Sequence, residues 1–262
     1  MANIVGIDLG TTYSVIARLD EHGTPLVVSN KEGSHLTPSI VEFTGKNSSC
    51  VGSEAKKALL IAGKAKVKNF AFDAKRHIRT MDEKVWECYG KKYTATSVSA
   101  LILKYLKESY NKQYGEIDAV VITVPANFKN EAREATMKAA KLAGLKVEHL
   151  IDEPTAAMFS YAFHSGKKLN GNYAIYDLGG GTFDVSIVRV KGKDFKILSK
   201  EGIADLGGRD FDKDLQTLIE KKFKKETGKK LEKGEININI EETKKTLSVK
   251  KKVDINLSVR GK

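Results

Sequence analysis

Ile7-Asp8-Leu9-Gly10-Thr11-Thr12, near the amino terminus, is echoed far down the chain by Tyr176-Asp177-Leu178-Gly179-Gly180-Gly181-Thr182. Each copy reads apolar-Asp-Leu-Gly with a threonine in the turn. The first lies between strand-like runs Ile4 to Leu9 and Ser14 to Leu19, the second between Tyr173 to Leu178 and Phe183 to Val190. Glycine admits backbone conformations and close approaches that a Cβ forbids, so such a turn can offer a concave ring of N–H donors to an anionic oxygen. The threonine hydroxyls add donors. A strand-end aspartate would repel a bare phosphate; it makes sense with a cation between them, and magnesium prefers carboxylate, water and phosphate oxygens. Two such hairpins facing one another would clamp a polyphosphate and its metal, ATP with magnesium, from both sides. A single Asp-Leu-Gly would be weak, since any turn can contain it. Two copies, one extended to Asp-Leu-Gly-Gly-Gly-Thr-Phe-Asp, are specific. The chain holds no Gly-x-x-x-x-Gly-Lys-[Ser/Thr], and Gly179-x-Gly181 is followed three residues on by Asp184 rather than glycine, so the commoner nucleotide signatures fail.

Outward from the hairpins, residues 26–29 and 39–43 read as short strands, and 97–113 as a helix with Val98, Leu101, Ile102, Tyr105 and Leu106 at helical spacing. Ile117 to Val124 is a nearly continuous β-branched run, the pattern of a central strand covered on both faces, and Pro125 ends it. A helix is predicted from an N-cap at Asn130 to Gly144, and another from Pro154 to about His164. The polar segment from Ser165 to Asn172 reads as a boundary, dividing the chain into residues 1–170, with a smaller inserted unit over about 37–107, and residues 171–262. After it come strands at Tyr173–Leu178, Phe183–Val190 and Lys196–Ile203. A helix from about Asp210 carries Phe211, Leu215, Leu218, Ile219 and Phe223 on one face. Alternating strands and helices make this an α/β protein. Val253, Ile255, Leu257 and Val259 alternate as a half-buried strand leading into Arg260-Gly261-Lys262, which resembles the start of a turn. That strand lacks a partner in the sequence, so truncation is expected, with a natural edge strand as the alternative.

The 262 residues, 41% hydrophobic and 30% charged, suit a soluble globular chain. No apolar run approaches the roughly 20 residues of a membrane helix, and no basic segment with a signal core opens the chain, so a cytoplasmic location without membrane contact is expected. Cys50 and Cys88 are expected to be reduced, packed thiols. His22, His35, His77, His149 and His164 lack metal-ligand spacing, and no zinc site is expected. The net charge of +12 is concentrated in Lys221, Lys222, Lys224, Lys225, Lys229, Lys230 and Lys233, and in Lys250, Lys251 and Lys252. Glu220, Glu226, Glu232 and Glu235 interrupt the first run, so a solvated helix face is expected rather than a specific nucleic-acid footprint.

The chain closely resembles the nucleotide-binding domain of the seventy-kilodalton heat-shock (DnaK-like) chaperones. The stretches that carry the likeness are Gly6 to Ser14, Phe72-Asp-Ala-Lys-Arg76, Thr123-Val-Pro-Ala-Asn-Phe128, Ile151-Asp-Glu-Pro-Thr-Ala-Ala157, Tyr176 to Val185 and Leu206-Gly-Gly-Arg-Asp-Phe-Asp212. The likeness is dense to about residue 214 and thins beyond. It implies an actin-like (ribonuclease H-like) ATPase fold of two lobes with mixed sheets flanked by helices, the second lobe incomplete. It further implies ATP or ADP, magnesium and potassium as ligands. Asp8 and Asp177 would hold magnesium, largely through its waters. Gly10, Thr11, Thr12 and Tyr13 would contact phosphates from the first hairpin, and Gly179, Gly180, Gly181 and Thr182 from the second. Lys75 would reach the γ-phosphate and position the attacking water, and Glu153 would stand near metal and water. Asp177 and Thr182 are further catalytic candidates, and Asp184 a proton-handling one. Pro125 and Arg133 match a relay toward a peptide-binding domain, and the implied partners are client polypeptides, J-domain co-chaperones and nucleotide-exchange factors. His77 and Arg79 stand where that family usually has an aliphatic residue and a glycine, so packing after Lys75 is expected to differ. The family's adenine-gripping residues lie partly beyond this sequence, so weak nucleotide binding and little hydrolysis are expected of the chain alone. Other readings left open are a small-molecule kinase with the same clamp, an actin-like filament former, and an inactive fragment.

Overall fold

The computed structural model describes residues 2–62, 64–78, 83–192, 194–231 and 239–255. In chain order the elements are β1 (Ile4–Asp8), β2 (Tyr13–Leu19), β3 (Pro25–Val27), β4 (Thr37–Pro38), β5 (Ile40–Phe43), β6 (Ser49–Val51), α1 (Ser53–Ile61) and α2 (Lys64–Val67). There follow β7 (Phe70–Phe72), α3 (Ala74–Ile78), β8 (Val85–Cys88), β9 (Lys91–Thr94), α4 (Ala95–Tyr114), β10 (Ala119–Val124), α5 (Asn130–Leu142), β11 (Val147–Asp152) and α6 (Glu153–Ser165). The last are β12 (Asn170–Leu178), β13 (Phe183–Lys191), β14 (Asp194–Ile203), α7 (Gly208–Thr227) and α8 (Ile240–Leu247).

The principal sheet is mixed, in the order β11-β10-β1-β2-β3 with β4 also paired to β2. The β-branched run of β10 occupies the interior place the sequence suggests: it pairs in parallel with β1 on one side and β11 on the other. Val120 and Ile122 are fully buried, and each such side chain contributes roughly 1.5–3 kcal/mol of burial. α4 packs along this sheet with α5 through Val98, Ile102, Leu103, Leu106 and Tyr110, in one core with Val5, Ile7 and Ile16. Its start is set by Thr94, whose hydroxyl accepts from the Ser97 N–H at 3.3 Å, and its end by Gly115 at φ 85°. A second, antiparallel sheet runs β12-β13-β14. Met158 of α6, with Leu169, Val188 and Val190, fills a small core on one of its faces. The other face carries Tyr176, Leu178 and Ile203, all exposed.

Several expectations need correction. Lys129, not Asn130, is the N-cap of α5, because Asn130 already has helical geometry; Gly144, at φ 71°, sits one place past the C-cap Ala143. The apolar stripe of α7 is only partly covered: Phe211 and Leu218 are exposed, Leu215, Ile219 and Phe223 are half-buried, and the helix packs against α8. Val253 and Ile255 lie in irregular backbone, with no ladder hydrogen bonds among the described residues; Leu257, Val259 and the expected turn at 260–262 lie outside the described residues. Lysines 221, 222, 224, 225, 229 and 230 are exposed, while Lys233, Glu232 and Glu235 are outside the described residues. Cys50 is half-buried and Cys88 buried, both free thiols. No helix among the described residues is long and apolar enough to cross a membrane.

Candidate functional site

The parallel register of β1 and β10 sets Asp8 opposite Thr123, and the Thr123 hydroxyl donates to Asp8 Oδ1 at 2.9 Å. The chain then turns through Gly10. Ser39 Oγ donates to the Gly10 carbonyl at 2.8 Å, so Ser14 Oγ must donate across the 2.9 Å contact to Ser39 while accepting the Gly10 N–H at 3.2 Å. Both serines are almost fully buried, and together they pin both polar groups of one turn residue. A Cβ on Gly10 would collide with the Tyr13 carbonyl.

On the second hairpin, nine consecutive pairs tie β12 to β13, from Asn170↔Lys191 to Leu178↔Phe183. The turn between them is closed by the Gly179 N–H donating to the Thr182 carbonyl at 2.9 Å. The two turns meet closely. A Cβ on Gly180 would run into the Thr12 side chain, and one on Gly181 would stand 2.6 Å from Thr11 Cγ2 and 2.7 Å from Arg76 Nε. Close approach, rather than positive φ, is what demands glycine at both positions.

Lys75 enters on α3, directly after Asp73, which holds a left-handed φ of 60° and is paired with Arg209 at 2.6 Å. Its ammonium lies 2.5 Å from Glu153 Oε1, the first residue of α6, and the two side chains are only 11% and 17% exposed. Burial by itself would lower the Lys75 pKa, but Glu153, Asp8 and Asp177 outweigh it and hold the group above its ordinary value. For Glu153 and Asp177 burial leads and the neighbouring carboxylates add to it, so both rise despite Lys75. The two directions agree once the charges are counted: three carboxylates share one lysine.

These groups converge on one cavity of about 690 Å³. Its wall includes Asp8, Gly10, Thr11, Thr12, Tyr13, Lys75, Glu153, Asp177, Gly179, Gly180 and Thr182. Of the expected site residues, Gly181 and Asp184 are off this wall; the Gly181 carbonyl accepts from Arg76 Nε at 2.7 Å. Tyr13 reaches the cavity, but its hydroxyl is engaged elsewhere, donating to Glu241 Oε1 at 3.0 Å and accepting from Lys56 Nζ at 2.7 Å. The residues fit a metal-bound polyphosphate on three counts: acidic excess over Lys75, a Thr12 hydroxyl that is buried without a partner, and glycine-lined turns. No group of three or more His, Cys, Asp or Glu gathers as a metal cluster among the described residues. Magnesium does not require one, since it keeps several waters and takes one or two carboxylates together with phosphate oxygens.

The family model described as Hsp70 protein matches residues 4–261. The chain belongs to the Hsp70 family. That membership gives it the actin-like ATPase fold and makes it a nucleotide-binding, chaperone ATPase-type domain. Within this Hsp70 chain, Arg133 pairs with Asp152, the neighbour of Glu153, and donates from Nε to the Phe128 carbonyl at 3.2 Å. His77 meets Trp86 edge-on with ring centroids 6.1 Å apart, and Arg79 lies outside the described residues. Asp184 pairs across the ladder with Asp177 and accepts from Asn127 Nδ2 at 2.8 Å.

Sequence reasoning named no role for Thr123, Ser14, Ser39, Asn127 or Arg76. Thr123 could have been found by aligning β1 and β10 in parallel, since that register sets it beside the strand-end Asp8. The two serines carry no such signal, because an interior hydroxyl looks like any turn serine until the fold buries it.

Proposed function

We propose that this Hsp70 chain binds ATP with its phosphates between the two hairpins and hydrolyses it to ADP and phosphate. The convergence of Asp8, Asp177, Lys75 and Glu153 on one cavity with both glycine turns carries this reading. Asp8 and Asp177 would hold magnesium, whose charge offsets that of the phosphate oxygens. Gly10, Thr11, Thr12 and Tyr13 would contact phosphates on one side, and Gly179, Gly180, Gly181 and Thr182 on the other. Lys75 supplies a fixed positive charge for the transferred group and, with Glu153, orients the attacking water. Thr182 and Asp184 stand near that transfer. Arg133, tied to the residue before Glu153, and Pro125 would pass nucleotide state to a client-binding domain. The division at residues 170/171, with its inserted unit at about 37–107, gives the two lobes that close on the nucleotide. In the cell this implies client polypeptides, J-domain co-chaperones and nucleotide-exchange factors as partners, in the cytoplasm.

The test is calorimetric binding of Mg-ATP to this chain and to a Lys75→Ala, Asp177→Ala double variant. Binding lost in the variant supports the clamp; unchanged binding would place the nucleotide elsewhere and sink the assignment.

A further inference from the structure

The second turn is braced from behind at three successive peptides. The Gly208 N–H donates to the Gly179 carbonyl and the Arg209 N–H to the Gly180 carbonyl, each at 3.0 Å, and Arg76 Nε donates to the Gly181 carbonyl at 2.7 Å. In a trans peptide the carbonyl and the following N–H point in opposite directions, and the described chain has no cis peptide. Anchoring three carbonyls on the outer side therefore turns the N–H groups of Gly180, Gly181 and Thr182 to the other side. None of the three donates to a backbone carbonyl of the described residues. Three successive N–H groups on one side form a nest for an anionic oxygen.

Two of the braces come from residues 207–210, next to the turn: a Cβ on Gly207 would stand 2.5 Å from the Gly181 nitrogen, so that contact is backbone on backbone. The third brace is different. Arg76 belongs to α3, one residue after Lys75, and its other arm pairs with Asp210 at 2.6 Å. The side chain is 14% exposed. A parallel pair, Asp73 with Arg209 at 2.6 Å, ties the same two segments. The segment that carries Lys75 thus also sets the last peptide of the opposing turn.

We propose that Arg76 is a positioning residue for phosphate binding: by holding the Gly181 carbonyl it aims the Thr182 N–H at the phosphate. It couples that donor to the seating of α3 against Asp210. This rests on the nucleotide reading above. The guanidinium fork suits the task, because one Nε–H and one Nη2–H leave it in fixed relative directions.

The experiment follows backbone amide resonances of Gly180, Gly181 and Thr182 as Mg-ADP is titrated into the chain, in parent and Arg76→Met. Amides of the parent turn are expected to shift. In Arg76→Met the Thr182 response should collapse while those of Gly180 and Gly181 persist, with affinity down about tenfold for one charge-assisted hydrogen bond. Arg76→Lys, which keeps a cation beside Asp210, should recover part of both. If Arg76→Met does not fold, Arg76→Lys is read by the same criteria. A Thr182 response and affinity that match the parent's would overturn the positioning role and leave nucleotide binding standing. A parent with no response at either hairpin would overturn the nucleotide reading, and this role with it.

Discussion

Asp8, the last residue of β1, stands level with Thr123, the last but one of the parallel strand β10, and the threonine hydroxyl is held 2.9 Å from Asp8 Oδ1. The donor fixes which face of the carboxylate is free. Thr123→Val keeps the shape of the strand and removes the donor. Magnesium-dependent nucleotide affinity is expected to fall by about 1.5–3 kcal/mol, the range for a hydrogen bond to a charged group. Affinity measured with the metal chelated should change little. Equal losses with and without metal would show that Thr123 does not act through Asp8.

Glycine substitutions should separate close approach from general loosening. Gly180→Ala drives a Cβ into Thr12, whereas Gly6→Ala, in a strand, meets nothing within 4 Å. Gly6→Ala is expected to change unfolding free energy by no more than about 0.5 kcal/mol. Gly180→Ala should abolish Mg-ADP binding by calorimetry and cost about 1–3 kcal/mol in stability, the usual penalty of overpacking. Retained binding in Gly180→Ala would mean that the turns do not need to touch.

Lys75→Met leaves Asp8, Glu153 and Asp177 without their cation. The variant should lose hydrolysis and about 1–3 kcal/mol of stability, less than a fully buried pair because the cavity admits water. Added magnesium, without nucleotide, should raise its unfolding midpoint more than the parent's, because the uncompensated negative charge is larger. An equal rise in both proteins would argue against a shared electrostatic site.

Glu241 responds to acid in a defined direction. Burial would raise its pKa, but hydrogen bonds from Lys56, Lys245 and Tyr13 prevail and bring it to about 2, from 4.5 for a free glutamate. A carboxyl lowered in the folded state stabilises above its unfolded pKa and loses that contribution as pH falls toward the folded value. Denaturant unfolding should show Glu241→Gln less stable than the parent at pH 7 by roughly 2 kcal/mol, the gap closing between about pH 4.5 and pH 2. A gap that stays constant over that window would assign the cost to packing. Because the Glu241 cluster joins α8 to Lys56 of α1 through Tyr13, the same variant should also release nucleotide faster.

Much of this was legible from residues alone. The two Asp-Leu-Gly turns announced both hairpins because glycine and aspartate at fixed places have few other uses, and the β10 run announced its central place because only a strand covered on both faces tolerates such apolar continuity. The apolar stripe of α7 was legible as a stripe, but periodicity reports amphipathicity and not what covers it. Short strands β6 to β9 escaped notice, since three or four residues give no period to read. Arg76 drew no role from the sequence: its partners, Gly181 and Asp210, are more than a hundred residues away, and no local pattern encodes a contact at that separation.

The nine-pair ladder of β12 on β13 has an evolutionary corollary. Asp177 faces the cavity while Tyr176 and Leu178 face outward, and sides alternate at every residue. Losing or gaining a single codon between Asn170 and Tyr176 would send the carboxylate to the outer surface or force the whole strand to re-pair one step along. The surface loop at 20–24, by contrast, carries no such parity. Descendants of this sequence should therefore tolerate length changes there freely, and in β12 only in pairs.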